Sequence, residues 1–279
     1  MNNRVRLIRK IGMKTLEGNA TFTNLFVKKV LSKIRINADS STFKLLRRIY
    51  RRTGKFKNIE ASYSAFGEDQ VLIKYLPEID GTYIDIGAAA PTIGSNTYLF
   101  YERGWRGITI DPIAPLIKKH KRIRPNDVQI NACVSSQPGQ EITFFQYIAD
   151  DFSTNSVDRM SELAKMGIHP ASTYSVPNIL ISDLGIRCDP LMPAFLNVDV
   201  EGSELDALMS INWESYMPRV IAIEEWTSPI YVKTDVRILL ENLNYNLVSR
   251  CFLTSIYVHQ NYLQALQEED SDKFKWFNP

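Results

Sequence analysis

The stretch T-Y-I-D-I-G-A-A-A-P spans residues 82–91, and its first half alternates as a buried strand does. Asp85 and Ile86 lead into Gly87 and three alanines, which are small enough for a ligand to lie against the backbone. A dinucleotide-binding loop would read G-x-G-x-x-G here, with a pyrophosphate on the following helix N-terminus. Because only Gly87 is present, we predict a first strand and a nucleoside-binding loop that takes no pyrophosphate.

Three later apolar runs also carry a carboxylate at or near their ends, at Asp111, Asp199 and Glu224. Stretches with helical patterning lie between these runs. This alternation of strand and helix predicts a doubly wound α/β sheet. Ligands of such sheets bind beyond the carboxyl ends of the strands. We therefore expect these acids and Asp85 to converge on one crevice.

Caps and periodicity predict several helices around this sheet. Ser64 is the N-cap candidate of a helix over residues 64–75. Gly104 is expected to end a helix over residues 97–103. The five cations within residues 118–124 predict the solvated end of another helix.

The second half of the chain carries an insertion, residues 141–190, which we assign to the acceptor side of the site. Within it, residues 141–147 alternate like a strand, while residues 150–176 have loop composition around a short helical piece. Residues 245–249 and 255–258 are expected to pair as the last two strands.

The composition separates a basic arm from an acidic body. A chain of 279 residues with 44% hydrophobic content suffices for one large domain with attachments. The net charge of +2 conceals a division, because residues 1–59 hold 16 Lys and Arg against 2 acids, and residues 60–279 hold 17 against 29. We therefore divide the chain into a basic helical N-terminal extension, residues 1–59, and a main domain, residues 60–279.

The arm contains two amphipathic stretches, residues 22–34 and 43–52, in which cations alternate with apolar side chains at helical spacing. Such helices can lie on an anionic membrane surface, where each cation contributes about 1 kcal/mol. They can equally be a helical extension packed on the body or on a partner chain. Both alternatives stay open from the sequence.

The cysteines and hydropathy favour a cytoplasmic protein, with at most a peripheral position on the inner face of a membrane. Cys133, Cys188 and Cys251 are widely spaced, which indicates neither a disulfide framework nor a zinc site. The sequence has no apolar run of about 18 residues, the length of a membrane span, and its basic start leads into no cleavable leader.

Seven motifs together make the sequence resemble the FkbM family of S-adenosylmethionine (SAM)-dependent methyltransferases over residues 60–230. The resemblance implies the class I (Rossmann-like) methyltransferase fold, with a seven-stranded, mostly parallel sheet and helices on both faces. It also implies SAM as methyl donor and O-methylation of hydroxyls on sugars or polyketide-like metabolites. Ala65 replaces the Gln expected of the family, and Asp111 stands where Glu is more usual. The motifs are S-A-F-G-E-D (64–69), D-I-G-A-A-A-P (85–91), S-N-T (95–97), F-Y-E-R-G-W-R-G (100–107), I-D-P (110–112), Asn131 with Val134, and N-V-D-V-E-G-S-E (197–204).

The expected cofactor contacts follow from these positions. Asp111 can accept both ribose hydroxyls, and hydrogen bonds to charged groups contribute roughly 1.5 to 3 kcal/mol. The side-chain amide of Asn131 is placed to face the adenine. The full predicted set is Phe66, Gly67, Asp85, Gly87, Ala88, Asn96, Asp111, Pro112, Asn131, Ala132 and Asp199.

Two arrangements could activate an acceptor hydroxyl. In the first, Asp199, Glu201 or Glu224 is a general base whose pKa is raised by neighbouring carboxylates. In the second, Asp199 and Glu224 hold Mg²⁺, which lowers the pKa of the hydroxyl by coordination. The acceptor is expected to be a sugar or a glycosylated small molecule.

Two other functions compete with this one. A nucleic-acid methyltransferase is disfavoured, because residues 199–202 read D-V-E-G instead of an N/D-P-P-Y type motif and the body is acidic. A catalytically silent scaffold of a membrane glycan-assembly complex is opposed by the intact acids Asp85, Asp111 and Asp199.

Four further side chains carry weaker expectations. Glu204 is assigned to a structural role at a helix N-terminus, and Glu225 is expected to face away from Glu224. Trp226 either lines the acceptor pocket or fills the core, with the core favoured. His169 is treated as an incidental loop residue.

Overall fold

Strands and helices alternate along most of the chain. A computed structural model describes residues 62–274, apart from residues 138, 140, 150–151 and 227–232. The helices are α1 (Glu68–Tyr75), α2 (Tyr98–Arg103), α3 (Ala114–Ile123), α4 (Val157–Lys165), α5 (Glu204–Met209), α6 (Asp235–Asn242) and α7 (Gln260–Phe274). The strands are β1 (Thr82–Ile86), β2 (Arg106–Ile110), β3 (Val128–Ile130), β4 (Cys133–Val134), β5 (Glu141–Gln146), β6 (Ser172–Ile179), β7 (Ala194–Val198), β8 (Val220–Glu224), β9 (Tyr245–Cys251) and β10 (Thr254–His259).

Seven of these strands form one twisted sheet in the order β3-β2-β1-β7-β8-β10-β9. All neighbours run parallel up to β8, whereas β10 runs antiparallel to both β8 and β9. Asp85 of β1 lies beside Asn197 of β7 in the register. The predicted seven-stranded, mostly parallel sheet is thereby confirmed, and so is the antiparallel pair at its end.

Helices cover both faces of the sheet, which explains why its central strands are almost wholly apolar. Tyr83 and Phe195 point to one face, where they pack with Leu72 of α1 and Phe100 of α2. The next residues along the same strands, Ile84 and Leu196, point to the other face. There they pack with Leu208 of α5 and Leu240 of α6.

The segment between β3 and β7 forms a second, three-stranded sheet in the order β4-β6-β5. Residues 150–176 do contain the predicted short helix, α4, which Ser156 caps by accepting a hydrogen bond from the backbone N–H of Arg159. The loop prediction is wrong for residues 172–176, which belong to strand β6. They are held there because Tyr174 and Val176 pack against Phe144 of β5.

Two helix predictions also need correction. Helix α1 begins at Glu68 with Gly67 as its N-cap, so Ser64 is not the N-cap, although its Oγ accepts from the backbone N–H of Asp69 at 3.2 Å. Gly104 does end α2, with a φ of 120°. The cation-rich stretch 118–124 is not solvated throughout, because Arg124 is 0% exposed.

The predictions for residues 1–59, including the two amphipathic stretches, lie outside the described residues. Among the residues that the structure does describe, no helix is both long and apolar enough to cross a bilayer.

Candidate active site

A cavity of about 500 Å³ opens at the carboxyl ends of β1, β2, β7 and β8, where a sheet of this kind binds its ligands. Walls from the small second sheet, including Phe144 of β5, close one side of it. Many of the residues predicted from the sequence meet here. Those on the cavity wall are Phe66, Gly87, Asp111, Pro112, Ala132, Asp199, Glu201 and Glu224.

The loop after β1 approaches the neighbouring strand too closely for any side chain at its first position. Gly87 has a φ of 76°, and a Cβ there would lie 1.7 Å from the carbonyl oxygen of Asp199. The backbone N–H groups of Gly87 and Ala88 both donate to the carbonyl of Ile110, at 2.9 and 3.1 Å. Glycine is therefore required for the loop to pass between β2 and β7.

Asp111 holds this loop while its carboxylate faces the cavity. Its Oδ2 accepts from the backbone N–H of Ala89 at 2.9 Å, and its Oδ1 accepts from that of Ile113 at 2.7 Å. Both bonds fix the carboxylate at the end of β2, where Asp111 lines the cavity. The ribose contact of Asp111 stays a prediction.

Five of the residues predicted to contact the cofactor do not line the cavity. Asp85 and Asn96 are buried beneath the loop, in a hydrogen-bonded network with Asn197. Asn131 is exposed, donates through Nδ2 to the backbone carbonyl of Asp111 at 2.9 Å and does not line the cavity. The other two are Gly67, the N-cap of α1, and Ala88, which is buried.

Three carboxylates converge at the other end of the cavity. Asp199 follows β7, Glu224 ends the adjacent β8, and Glu201 lies in the turn before α5 with a φ of 53°. One oxygen from each lies within 4.8 Å of the other two. The sequence placed all three in the catalytic centre, and the structure brings them together.

Crowding gives these acids an unusual affinity for protons. The carboxylate of Asp199 lines the cavity but is surrounded by protein atoms. This desolvation, followed by the negative charges of Glu224 and Glu204, raises the pKa of Asp199 well above its ordinary value. Burial, followed by the charge of Glu201, raises the pKa of Glu224 to about 8. Asp199 and Glu224 therefore form a coupled pair in which burial and repulsion from neighbouring carboxylates raise the pKa of both carboxyl groups.

Two further side chains contact these acids: Trp226, for which the sequence left a pocket-lining position open, and Arg159, which it did not single out. Trp226 lines the cavity and donates from Nε1 to Oε2 of Glu224 at 2.9 Å, so it is not a core residue. Arg159, from α4 of the insertion, stacks its guanidinium 4.2 Å from the centre of the Trp226 ring. Its Nη2 also lies 4.0 Å from Oε2 of Glu201. These contacts connect the insertion to the acids.

The structure also shows the positions of Glu204, Glu225 and His169. Oε1 of Glu204 accepts from the backbone N–H groups of Gly202 and Val200, so this side chain shapes the turn, as predicted. Glu225 faces away from Glu224 and accepts from the hydroxyl of Tyr257 at 2.8 Å. His169 is exposed and lies off the cavity wall.

The cavity has features that suit SAM: an apolar cleft, a loop that Gly87 allows to pack against the neighbouring strand, and a strand-end carboxylate at Asp111. This sheet order, with an antiparallel strand next to its edge and a site at the carboxyl ends, defines a class I SAM-dependent methyltransferase. The family model of the methyltransferase FkbM domain matches residues 85–247, and the chain belongs to this family.

Comparison with solved structures gives distant matches. A TehB-like SAM-dependent methyltransferase from Corynebacterium glutamicum is 11% identical, with a TM-score of 0.37 over 78% of this chain and 97% of that one. A SAM-dependent methyltransferase from Aquifex aeolicus is 12% identical, with a TM-score of 0.31 over 69% and 88%. No curated protein matches the sequence.

Proposed function

We propose that this protein transfers the methyl group of SAM to a hydroxyl of a sugar, in a surface glycan or a glycosylated metabolite. The observation that carries the proposal is the coupled pair of Asp199 and Glu224 on the cavity wall. A sugar hydroxyl is a poor nucleophile at neutral pH, so methyl transfer to it needs a group that removes the proton of the hydroxyl. A carboxylate whose pKa is raised toward neutrality suits that task.

In this proposal, residues at the two ends of the cavity have different roles. When bound, SAM supplies an electrophilic methyl group, so the protein's part is to align the acceptor and to accept its proton. In this proposal Asp111 holds the ribose, and Gly87 lets the loop that lines the cavity pass close to the Asp199 backbone. The acids Asp199, Glu201 and Glu224 are placed to receive the proton of the hydroxyl.

The indole of Trp226 distinguishes the two coupled acids. Its hydrogen bond to Glu224 favours the charged form of that carboxylate and holds it in one orientation. The hydrogen bond between the two carboxyl groups raises the pKa of Asp199 and lowers that of Glu224, so Asp199 is the member that holds a shared proton more readily. We assign Glu224 as the proton acceptor and Asp199 as its hydrogen-bonding partner.

A bound Mg²⁺ is the alternative means of activating the hydroxyl. The three acids present carboxylate oxygens, the ligands that hard cations prefer, so Asp199, Glu201 and Glu224 would hold the ion. It would supply coordination that lowers the pKa of the acceptor hydroxyl. Treatment with EDTA followed by restoration of Mg²⁺ separates the alternatives, because unchanged turnover after chelation eliminates the metal.

The function itself is tested by mass spectrometry of surface glycans. Cells that carry the wild-type protein are compared with cells that carry Glu224→Gln, which keeps the size of the side chain but removes the assigned proton acceptor. We expect the variant to lack one methyl group on a single glycan component. Identical glycan masses in the two strains, with both proteins present at the same level, would reject a glycan acceptor.

We also propose that the basic segment, residues 1–59, binds an anionic membrane surface and so brings the domain to its acceptor. The support is its excess of cations, 16 Lys and Arg against 2 acids. Flotation with vesicles containing phosphatidylglycerol should be salt-sensitive and should weaken when Arg47, Arg48, Arg51 and Arg52 are all changed to Gln. Equal flotation of both proteins would favour the alternative, an extension packed on protein.

A further inference from the structure

Arg124 is a charged side chain with no access to solvent, directly after the end of α3. Its Nε and Nη2 both donate to the backbone carbonyl of Pro91, at 2.8 and 2.6 Å. Nη2 also donates to Oγ of Ser95 at 2.6 Å, and Nη1 donates to Oγ1 of Thr97 at 2.7 Å. Burying a guanidinium is costly unless its donors are satisfied and its charge is balanced, so this arrangement needs an explanation.

The balancing charge is Asp85, the acid that the sequence placed in the cofactor site. Its Oδ2 lies 3.9 Å from Nη1 of Arg124 and accepts the hydroxyl of Thr97, which bridges the two charges. Its Oδ1 accepts from Nδ2 of Asn197 at 2.9 Å. Asp85 is 2% exposed, so both members of the pair lie beneath the loop and not in the cavity.

The loop above this pair, residues 87–91, is held in a conformation that it would not adopt by itself. Ala89 has a φ of 44°, a left-handed conformation that costs a non-glycine residue about 1 kcal/mol or more. The carbonyl of Ala89 is 3.1 Å from Nε2 of the buried His120, and its N–H is held by Asp111. The Arg124 guanidinium fixes the far end of the same loop at Pro91. The loop is thus restrained at both ends, and it forms one wall of the cavity.

We propose that Arg124 is a positioning residue for SAM: by clamping Pro91 and, through Thr97, orienting Asp85, it holds the Gly87–Ala89–Ala90 wall in the shape that receives the cofactor. Arg124 itself touches no ligand in this arrangement. Its effect is preorganisation, since a loop already ordered before binding loses less conformational freedom when the ligand arrives. The inference concerns cofactor binding alone and does not depend on the acceptor.

The test is the affinity for SAM and for S-adenosylhomocysteine, measured by calorimetry on the full chain. Arg124→Lys keeps the positive charge for Asp85 but loses the planar fork that contacts Pro91, Ser95 and Thr97 together. We expect it to weaken SAM binding on the order of tenfold. The matched control is Arg122→Lys, on the exposed side of the same helix, which should bind as the wild type does. Wild-type affinity in a folded Arg124→Lys protein would overturn the proposal.

A second pair of variants keeps the test decisive if Arg124→Lys does not fold. Thr97→Val removes the bridging hydroxyl with little change in volume, whereas Thr97→Ser retains it. Thr97→Val should weaken SAM binding while Thr97→Ser preserves it, although both keep the same packing position. A role in folding alone would leave the affinities of the two folded variants equal, and that result would also overturn the proposal.

Discussion

The backbone of Gly87 faces the carbonyl oxygen of Asp199, and a Cβ at residue 87 would lie 1.7 Å from that oxygen. The two residues follow the adjacent strands β1 and β7, and the N–H of Asp199 donates to the carbonyl of Ile86 at 3.0 Å. This contact joins the loop after β1 to the strand end that carries Asp199, the proposed partner of the catalytic base. A shift of either one must therefore displace the other.

Gly87→Ala should weaken cofactor binding severely. The added methyl group overlaps a backbone oxygen that has no freedom to move, so the loop must leave its place. We expect SAM affinity to fall by more than about a hundredfold, or about 2.7 kcal/mol, in calorimetry. Gly167→Ala is the control, because Gly167 has a similar φ of 79° and nothing within 4 Å of the added Cβ. Similar affinities in the two variants would contradict the steric account.

Glu224→Gln should separate catalysis from cofactor binding. The amide keeps the shape of the side chain but cannot accept the proton of a hydroxyl, so kcat should fall by about 10² to 10⁴. The Kd for SAM should stay within about threefold of the wild-type value, since this substitution removes no predicted cofactor contact. Glu225→Gln, one residue away on the opposite face, serves as control. Full turnover by Glu224→Gln would exclude it as the base.

Trp226→Phe should slow the reaction without loss of the fold. The phenyl ring still offers a face to Arg159, but the Nε1 donor to Glu224 is gone. We expect kcat to decrease by roughly tenfold, which corresponds to the low end of a hydrogen bond to a charged group. Trp213→Phe is the matched control, because Nε1 of Trp213 has no hydrogen-bond partner among the described residues. An unaffected kcat in Trp226→Phe would show that the indole does not orient the acid.

His120 should make the protein less stable in acid. Burial, followed by the charge of Arg124, lowers the pKa of His120 to about 4 from its ordinary 6.5, and Asp85 opposes this only in part. The unfolded chain therefore binds more protons between these pH values, so the free energy of unfolding falls as the pH falls. The contribution reaches about 3 kcal/mol at pH 4.

Urea unfolding at pH 7 and pH 4 would measure this effect. His120→Gln keeps a donor for the carbonyl of Ala89 but does not titrate, so its stability should fall less between the two pH values than that of the wild type. His169→Gln, in an exposed loop, should behave as the wild type does. Parallel loss of stability in the wild type and in His120→Gln would refute the prediction.

The centre of the sheet could be predicted from the sequence because β1, β2, β7 and β8 are short apolar runs with an acid at or near their ends. The stretch around Asp85 and the runs ending near Asp199 and Glu224 identify the central strands without further information. The convergence of the acids then follows, since the carboxyl ends of parallel strands share one edge. The alternation of strand and helix patterns likewise predicts a doubly wound sheet, with helices on both faces.

Tertiary pairing could not be predicted in the same way. Arg124 was assigned to solvent because it follows a run of exposed lysines, yet Leu116, His120 and Arg124 recur at four-residue steps and share one buried face. That spacing is the one sequence feature that pointed to its burial. The stack of Arg159 on Trp226 joins two segments distant in sequence, and no local pattern indicates it.

The buried pair of Asp85 and Arg124 also constrains how this sequence can change over generations. Loss of either charge alone leaves the other buried without an opposite charge, which lowers the free energy of unfolding by about 3–5 kcal/mol. Relatives should therefore keep both residues or replace both together, and the two alignment columns should vary in step. The presence of Asp85 near the end of β1 then indicates that an arginine is buried opposite it. A motif search that assigned Asp85 to ligand binding would give it the wrong role.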